Sequence, residues 1–230
     1  LWQGLGRGVL FGLFQIPIMI GLALLLALLL DSGVVRRPTF FRLGYFLPFA
    51  IPGMVAALLW TYIYSPRLSP INQVLEHLGA GIDFFSPNLI LVSMANMTTW
   101  TFAGYNMLIF LAALQAIPRE LYEAARIDGA SEWRIVTQIK IPMVAPAAML
   151  AVLLSIIGTI QLFNEPTVLA TVNPWMGKDF TPMMLAYNAA TGQTVPSGSG
   201  PASAVSIVTG SVAFELDVEN ATSGTSAMRR

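Results

Sequence analysis

Three amide side chains inside long uncharged stretches are the first candidates for a chemical role. They are Asn106, Gln161 and Asn164. Polar groups in such stretches face other helices or an aqueous path, because lipid offers them no hydrogen-bonding partner. They could contact a passing solute, or they could hydrogen-bond one helix to another. The residue types leave both roles open, and we predict that at least one of the three touches a substrate.

Residues suited to catalysis or metal binding are scarce. The chain has no cysteine, and His77 is its only histidine. A soft-ligand metal site needs several such side chains, and a hydrolase needs a nucleophile with a histidine or metal partner. The glycines Gly4, Gly6 and Gly8 follow no predicted strand and precede no phosphate-binding lysine loop, so they form no nucleotide fingerprint. We therefore expect no catalytic residue, no metal site and no cofactor bound by this chain.

The composition is that of a membrane protein. Of 230 residues, 55% are hydrophobic and 10% are charged, against about a quarter charged in soluble domains. Five windows of 23 to 35 residues contain no Asp, Glu, Lys or Arg, and about 20 apolar residues cross a bilayer as a helix. The 12 basic and 12 acidic side chains give a nucleic acid partner no electrostatic support. We predict an all-α, polytopic transmembrane bundle with four strong spans, at residues 8–30, 43–64, 88–116 and 143–164.

The spans differ in regularity. Pro48 and Pro52 predict a kinked or broken second span, because proline removes a helical donor and clashes with the preceding turn. Gly158, Gln161 and Glu165 would share one face of a continuous helix.

The last part of the chain departs from this pattern. We assign residues 1–190 to a transmembrane domain and residues 191–230 to an atypical polar tail. The apolar run 202–214 is short, is interrupted by Ser and Gly, and is followed by acidic residues at 215, 217 and 219. Acids are costly inside a bilayer, so the tail holds at most a degraded last span.

The distribution of Lys and Arg predicts the orientation. Residues 31–42 carry three, 67–83 one, 119–140 four and 165–179 one. Basic connections lie on the cytoplasmic side, so 31–42 and 119–140 are predicted to be cytoplasmic in a bacterial-type cell membrane. The first predicted span then runs from outside to inside, and we expect at least one earlier span before residue 1.

The second basic connection reads as a helical hairpin over residues 118–142. Pro118 suits the start of a helix over 119–127, and Gly129 suits its left-handed end. Ser131 can cap a second helix to about Ile139, and Pro142 then opens the next span. Several apolar positions of this hairpin should be wet unless a partner covers them, namely Leu121, Ala124, Ala125, Trp133, Ile135, Val136 and Ile139.

The spacing within this hairpin resembles the EAA loop of ABC-importer permease subunits. The matching residues are Glu123, Ala124, Ala125, Gly129, Ile139 and Pro142, with Ile141 where that family has Leu. Three further segments of the sequence, 46–52, 69–75 and 121–131, are similar to permeases of the carbohydrate-uptake branch. Within that branch they are most similar to the maltose-transporter-like first permease type.

The resemblance implies a transport subunit rather than an enzyme. It implies a second permease, a cytoplasmic ATPase dimer that carries ATP and magnesium, an external solute-binding protein, and a sugar substrate. The matching hairpin residues would couple closure of the ATPase to alternating access of the spans.

Two other interpretations remain. An ion-coupled secondary transporter or channel would need charged groups inside its spans, and the four predicted spans contain none. A permease fragment that does not assemble is the second alternative.

Overall fold

The computed structural model describes residues 1–66, 68–69, 73–74, 81–194 and 196–211. Over these residues the secondary structure is helical, with no β-strand. Three helices are long and apolar enough to cross a membrane, and a fourth crossing arises if two shorter segments form one broken span. The all-α transmembrane fold class is thereby confirmed. His77 and the acidic positions 215, 217 and 219 lie outside the described residues.

The helices are numbered in chain order. They are α1 (Trp2–Asp31), α2 (Pro38–Phe46), α3 (Gly53–Tyr64), α4 (Ile90–Gln115), α5 (Arg119–Ile127), α6 (Glu132–Ile135), α7 (Ile141–Met143), α8 (Ala145–Ile160), α9 (Asn164–Val172) and α10 (Pro182–Ala190). A 3₁₀ turn covers Leu47–Ala50 and a π turn covers Val136–Lys140. Residues 199–211 are also helical.

The second predicted span is broken where the prolines are. Ile51 is extended at ψ 131°, as expected for a residue before proline, and Pro52 follows at ψ 132° before α3 begins. The helix resumes at Gly53. The prolines therefore divide this stretch into a shorter helix with a 3₁₀ end and a separate helix α3.

The fourth predicted span is longer than the sequence indicated. Helix α8 ends at Ile160, three residues interrupt it, and α9 continues to Val172, so the candidate span covers Ala145–Val172. The interruption falls at Gln161 to Phe163, which removes the regular spacing on which a common face depended. Gly158 and Gln161 are exposed whereas Glu165 is buried, so the expectation that they share one face is wrong.

Contacts divide the chain into two compact units. The first comprises Leu1–Phe14, Pro52–Met97 and Ser155–Arg230. Its apolar core centres on methionines and aromatic rings, with Tyr64 stacked on Phe84 at 4.6 Å between ring centroids. Asn164 of α9 lies against Gly53 of α3, where a Cβ would come within 2.5 Å of the amide nitrogen. Glycine at residue 53 thus permits this close packing.

The second unit comprises Gln15–Ile51 and Thr98–Leu154. Its core includes Ala23, Ala27, Met107, Phe110, Leu111, Leu114, Val144 and Ala151. Small residues bring helix backbones close together in a membrane, where apolar side chains gain nothing by leaving lipid. Gly104 shows this best, since a Cβ there would lie 1.8 Å from the backbone oxygen of Tyr45.

Candidate functional site

The hairpin of residues 118–142, here called the coupling hairpin, begins with helix α5. Pro118 is its N-cap, and the helix runs over Arg119–Ile127, the predicted bounds. Glu120 lies in the first turn and Arg126 in the last, the placement that favours each charge beside the helix dipole. The local sequence alone accounts for this helix.

Gly129 ends helix α5 in the left-handed conformation, with φ +79°. Its N–H donates to the carbonyl of Arg126 at 3.0 Å, and the N–H of Ala130 donates to that of Ala125 at 2.9 Å. These bonds satisfy carbonyl groups that a helix end leaves without partners. A side chain at residue 129 would meet no neighbouring atom within 4 Å in this chain, so any substitution there acts through the backbone or through a partner.

The second arm of the hairpin differs from the prediction of one helix to Ile139. The hydroxyl of Ser131 accepts a hydrogen bond from the N–H of Arg134 at 3.4 Å, but the α-helix covers only Glu132–Ile135. The π turn follows and leads directly into α7, so the chain does not break before Pro142. Pro142 has no N–H for the carbonyl of Gln138, and its ring would clash there in an α-helix. A wider turn relieves both problems.

Most residues of the EAA-like pattern are exposed on the surface of the chain. Glu123, Ala124, Gly129 and Pro142 are exposed, while Ala125 and Ile139 are partly buried. Four large apolar side chains are exposed on the same hairpin: Leu121, Ile127, Trp133 and Ile141. Ile135 alone among the predicted wet apolar residues is buried, at 1% exposure.

Ile127 was not singled out from the sequence, yet it is 86% exposed. It is the last residue of α5 and lies two residues before Gly129. An apolar residue immediately before Asp-Gly at a helix end is the signal that could have found it.

One ion pair joins the two arms of the hairpin, from α5 to α6. Arg126 and Glu132 lie 2.9 Å apart, with both side chains more than half exposed. Exposed pairs of this kind contribute little to stability, because water already solvates the separate charges.

A second ion pair joins the hairpin to the end of the first helix. Lys140, at the end of the π turn, contacts Asp31, the last residue of α1, and the two side chains are only 11% and 17% exposed. The Lys140 ammonium also lies 5.2 Å from the ring centre of Tyr122. Burial and the negative charge of Asp31 raise the pKa of the Tyr122 phenol above its usual value. Residues of the two basic connections are thus in direct contact.

The three candidate amides belong to different compact units. Asn106 is buried in the second unit, where its amide nitrogen donates to the carbonyl of Phe102 at 3.1 Å and to the sulfur of Met19 at 3.6 Å. Gln161 is exposed and Asn164 is partly buried, both in the first unit. The contacts of Asn106 are those of a helix-packing residue, and contact of any of the three with substrate stays a prediction.

Glu165 is an acid that the four predicted spans did not contain. It is 8% exposed in the first turn of α9, inside the candidate span Ala145–Val172. The expectation that the strong spans lack charged groups is therefore wrong for the span as the structure defines it. The span predicted from the sequence, residues 143–164, ends one residue before Glu165.

Comparison with known proteins decides the family. The family model described as "Binding-protein-dependent transport system inner membrane component" matches residues 19–218. The chain belongs to this family. The match includes the whole coupling hairpin and the spans on either side of it, so the resemblance to binding-protein-dependent permeases is confirmed.

Similar proteins include two permeases with sugar-transport names. The chain is 37% identical over 171 residues to the lactose transport system permease protein LacF of Rhizobium radiobacter, covering 71% of this chain and 56% of LacF. It is 31% identical over 215 residues to the probable ABC transporter permease protein YurN of Bacillus subtilis, covering 90% of this chain and 73% of YurN. It is 32% identical over 162 residues to the arabinooligosaccharides transport system permease protein AraP of Halalkalibacterium halodurans, covering 68% of this chain and 50% of AraP. The chain therefore spans only about half the length of two of these permeases.

Solved structures share the permease fold. One chain of a bacterial alginate ABC transporter, in complex with an alginate pentasaccharide-bound periplasmic protein, has a TM-score of 0.78 at 22% identity. That match covers 95% of this chain and 74% of the other. The MetNI methionine ABC transporter, in an inward-facing form, has a TM-score of 0.58 at 17% identity. At these identities the similarity establishes the fold alone.

Proposed function

We propose that this chain is a permease subunit of an ATP-driven importer for sugars or oligosaccharides. In the assembly it pairs with a second permease, a cytoplasmic ATPase dimer and an external solute-binding protein, in a bacterial-type inner membrane. ATP and magnesium bind to the ATPase, while this chain contributes the membrane path. The sugar class is supported by the printed names of LacF and AraP.

The coupling hairpin is the observation that carries the proposal. It combines the EAA-like residues with an apolar surface that its own unit leaves exposed, including Ile127 at 86% and Trp133 at 76%. Exposed apolar side chains that are grouped on one short segment are typical of a protein interface. The ATPase dimer is the proposed partner for this surface.

The proposed mechanism is a shift between two states of the assembly. Closure of the ATPase dimer on ATP moves the hairpin, and the hairpin moves the helices to which it is attached. Binding of ATP favours one state of the spans, and its hydrolysis favours the other. This chain therefore needs no catalytic residue to take part in an ATP-driven cycle.

Substitution of Gly129 tests this proposal. Gly129→Val places a branched side chain at φ +79°, which costs about 1 to 2 kcal/mol and displaces the exposed turn. We expect membrane insertion to continue, while co-purification of the ATPase, sugar-stimulated ATP hydrolysis and vesicle uptake fall together. Glu123→Lys should give a milder loss at the same contact.

Gly192→Val is the matched control. Gly192 has φ +75° and no atom near the position of a Cβ, and it lies outside the hairpin. Gly192→Val introduces the same backbone strain as Gly129→Val. Because residue 192 lies outside the hairpin, we expect this variant to retain ATPase binding and uptake. Wild-type uptake and stimulated hydrolysis in Gly129→Val would show that the hairpin is only a connection between spans.

A further inference from the structure

The partly buried contact between Lys140 and Asp31 links two parts of the chain that are 109 residues apart. Lys140 ends the π turn in the hairpin's second arm, and Asp31 ends α1. Both residues lie in the second compact unit. The contact is therefore a tertiary link between the coupling hairpin and the inner end of a membrane-spanning helix.

This ion pair differs in kind from the other one on the hairpin. The Lys140 and Asp31 side chains are 11% and 17% exposed, whereas those of Arg126 and Glu132 are 57% and 71% exposed. Charges removed from water must be paired in good geometry, or the unpaired one is strongly unfavourable. The partly buried pair can thus hold its two elements in one arrangement, while the exposed pair can open freely.

Tyr122 completes the contact from helix α5. Its ring lies under the Lys140 ammonium at 5.2 Å, and its hydroxyl is buried without a hydrogen-bond partner. A cation over an aromatic face is attracted by the electron density of the ring. Lys140 is consequently held from both sides, by α1 through Asp31 and by the first arm of the hairpin through Tyr122.

The π turn determines where Lys140 points. One extra residue in a helical turn rotates everything after it by about 100° relative to a regular α-helix. Without that extra residue, Lys140 would occupy another face of the second arm. The turn thus converts a local backbone irregularity into a specific long-range contact.

The two arms of the hairpin have different connections to the membrane helices. The second arm continues through α7 into α8, so α8 follows any hairpin motion through the chain itself. Helix α1 has no such continuity with the hairpin. A charged, partly buried contact at its inner end supplies a route by which the same motion reaches α1.

We propose that the cluster of Asp31, Tyr122 and Lys140 is a positioning contact that attaches α1 to the coupling hairpin and stays closed throughout the transport cycle. This inference rests on the proposed coupling role of the hairpin. The three residues bind neither sugar nor nucleotide. They act by making α1 move with the hairpin.

Removal of both charges tests the attachment without leaving a buried ion alone. In the assembled transporter, Asp31→Asn combined with Lys140→Met keeps side-chain volume while it removes the pair. We expect the ATPase to co-purify and the thermal midpoint to stay near wild type. The amount of sugar transported per ATP hydrolysed should fall severalfold, because α1 no longer follows the hairpin. An unchanged ratio would overturn the proposal.

Conservative and single variants separate positioning from simple packing. Lys140→Arg retains the charge, but its planar guanidinium differs from the ammonium in size and geometry. It should therefore keep more transport per ATP than Lys140→Met, without matching the wild type. Lys140→Met alone should lose coupling, and a double-mutant cycle with Asp31→Asn should show strong non-additivity. Additive effects, or equal losses in Lys140→Arg and Lys140→Met, would contradict the attachment.

Arg36→Ala is the charge-matched control. Arg36 is exposed in the same basic connection as Asp31, so Arg36→Ala lowers the net charge by one, as Lys140→Met does, without touching the cluster. It should leave transport per ATP unchanged. The test also separates the two proposals: if Gly129→Val abolishes ATPase coupling while the Asp31 and Lys140 variants behave as wild type, only the attachment is wrong.

Discussion

At the residue scale, close helix packing in this chain depends on positions where any side chain would collide with a neighbouring backbone. Gly104 in α4 is the tightest, with a Cβ position 1.8 Å from the carbonyl oxygen of Tyr45. A backbone atom cannot rotate away as the end of a flexible side chain can. Glycine is therefore required at residue 104 for steric reasons, independently of its backbone conformation.

Gly104→Ala should destabilise the second unit. Overpacking of this kind costs about 1 to 3 kcal/mol, which lowers the melting temperature by several degrees in a chain of this size. Thermal unfolding in detergent, followed by intrinsic fluorescence, measures it. Gly158→Ala is the matched control, because a Cβ at residue 158 meets no atom within 4 Å. Equal midpoints for the two variants would disprove the close approach of α2 and α4.

A single side chain, the exposed amide of Gln161, is the residue on which a direct substrate contact can be tested. It lies at the interruption between α8 and α9, where its removal should have little effect on packing. If it contacts sugar, Gln161→Leu should weaken apparent affinity by about 2- to 12-fold, the equivalent of one hydrogen bond. Concentration-dependent uptake at matched membrane levels measures this. Gln115→Leu, an exposed amide at the end of α4, is the control, and identical affinities would remove Gln161 from the substrate path.

At the element scale, prolines rather than loops shape the helices next to the functional segment. Pro52 precedes α3, and Pro142 follows a π turn instead of starting a new helix. In both places the missing N–H and the bulky ring prevent a regular α-helix. The second arm of the hairpin is therefore continuous with α7, and a displacement of the hairpin can pass directly into the following helices.

Pro142→Ala tests the role of the π turn. Alanine supplies an N–H for the carbonyl of Gln138, so the turn can tighten to a regular α-helix. We expect transport per ATP to fall, because Lys140 rotates away from Asp31. Thermal stability should fall as well, because the separated charges lose their pairing. Hydrogen exchange of the second arm, together with vesicle uptake, would follow both changes. A variant with unaltered transport would show that the turn is not needed for coupling.

At the scale of the whole molecule, the two basic connections share one compact unit. Residues of 31–42 and 119–140 lie in the second unit and meet through the pair of Lys140 and Asp31. Basic connections on one side of a membrane are what the positive-inside rule requires. The contact therefore supports a location of both connections on one side of the membrane, and the assignment of that side to the cytoplasm stays a prediction.

Cysteine labelling tests that orientation, since the chain has no cysteine of its own. Exposed residues allow single replacements on each proposed side: Ser32→Cys and Ser131→Cys inside, Asn88→Cys and Lys178→Cys outside. In intact cells, an impermeant thiol reagent should label only the outer pair. Ser69 is unsuitable for this purpose because it is fully buried. Labelling of Ser131→Cys from outside would reverse the topology.

Local sequence determined the parts of this protein that depend on near neighbours in the chain. Long uncharged stretches indicate membrane helices, and the order of proline, glycine and serine predicts α5, its left-handed end at Gly129 and the cap at Ser131. Each of these follows from hydrogen bonds and steric contacts within a few residues. The family pattern in the hairpin is readable for the same reason.

Only the tertiary structure decided the contacts between distant residues. The burial of Glu165, the contact of Asn164 with Gly53 and the pairing of Lys140 with Asp31 join elements far apart in sequence. No local preference encodes them, because the same lysine on a regular helix would face another direction and stay in water. Helix packing brings the partners within reach, and the cost of burying an unpaired charge then selects the paired arrangement.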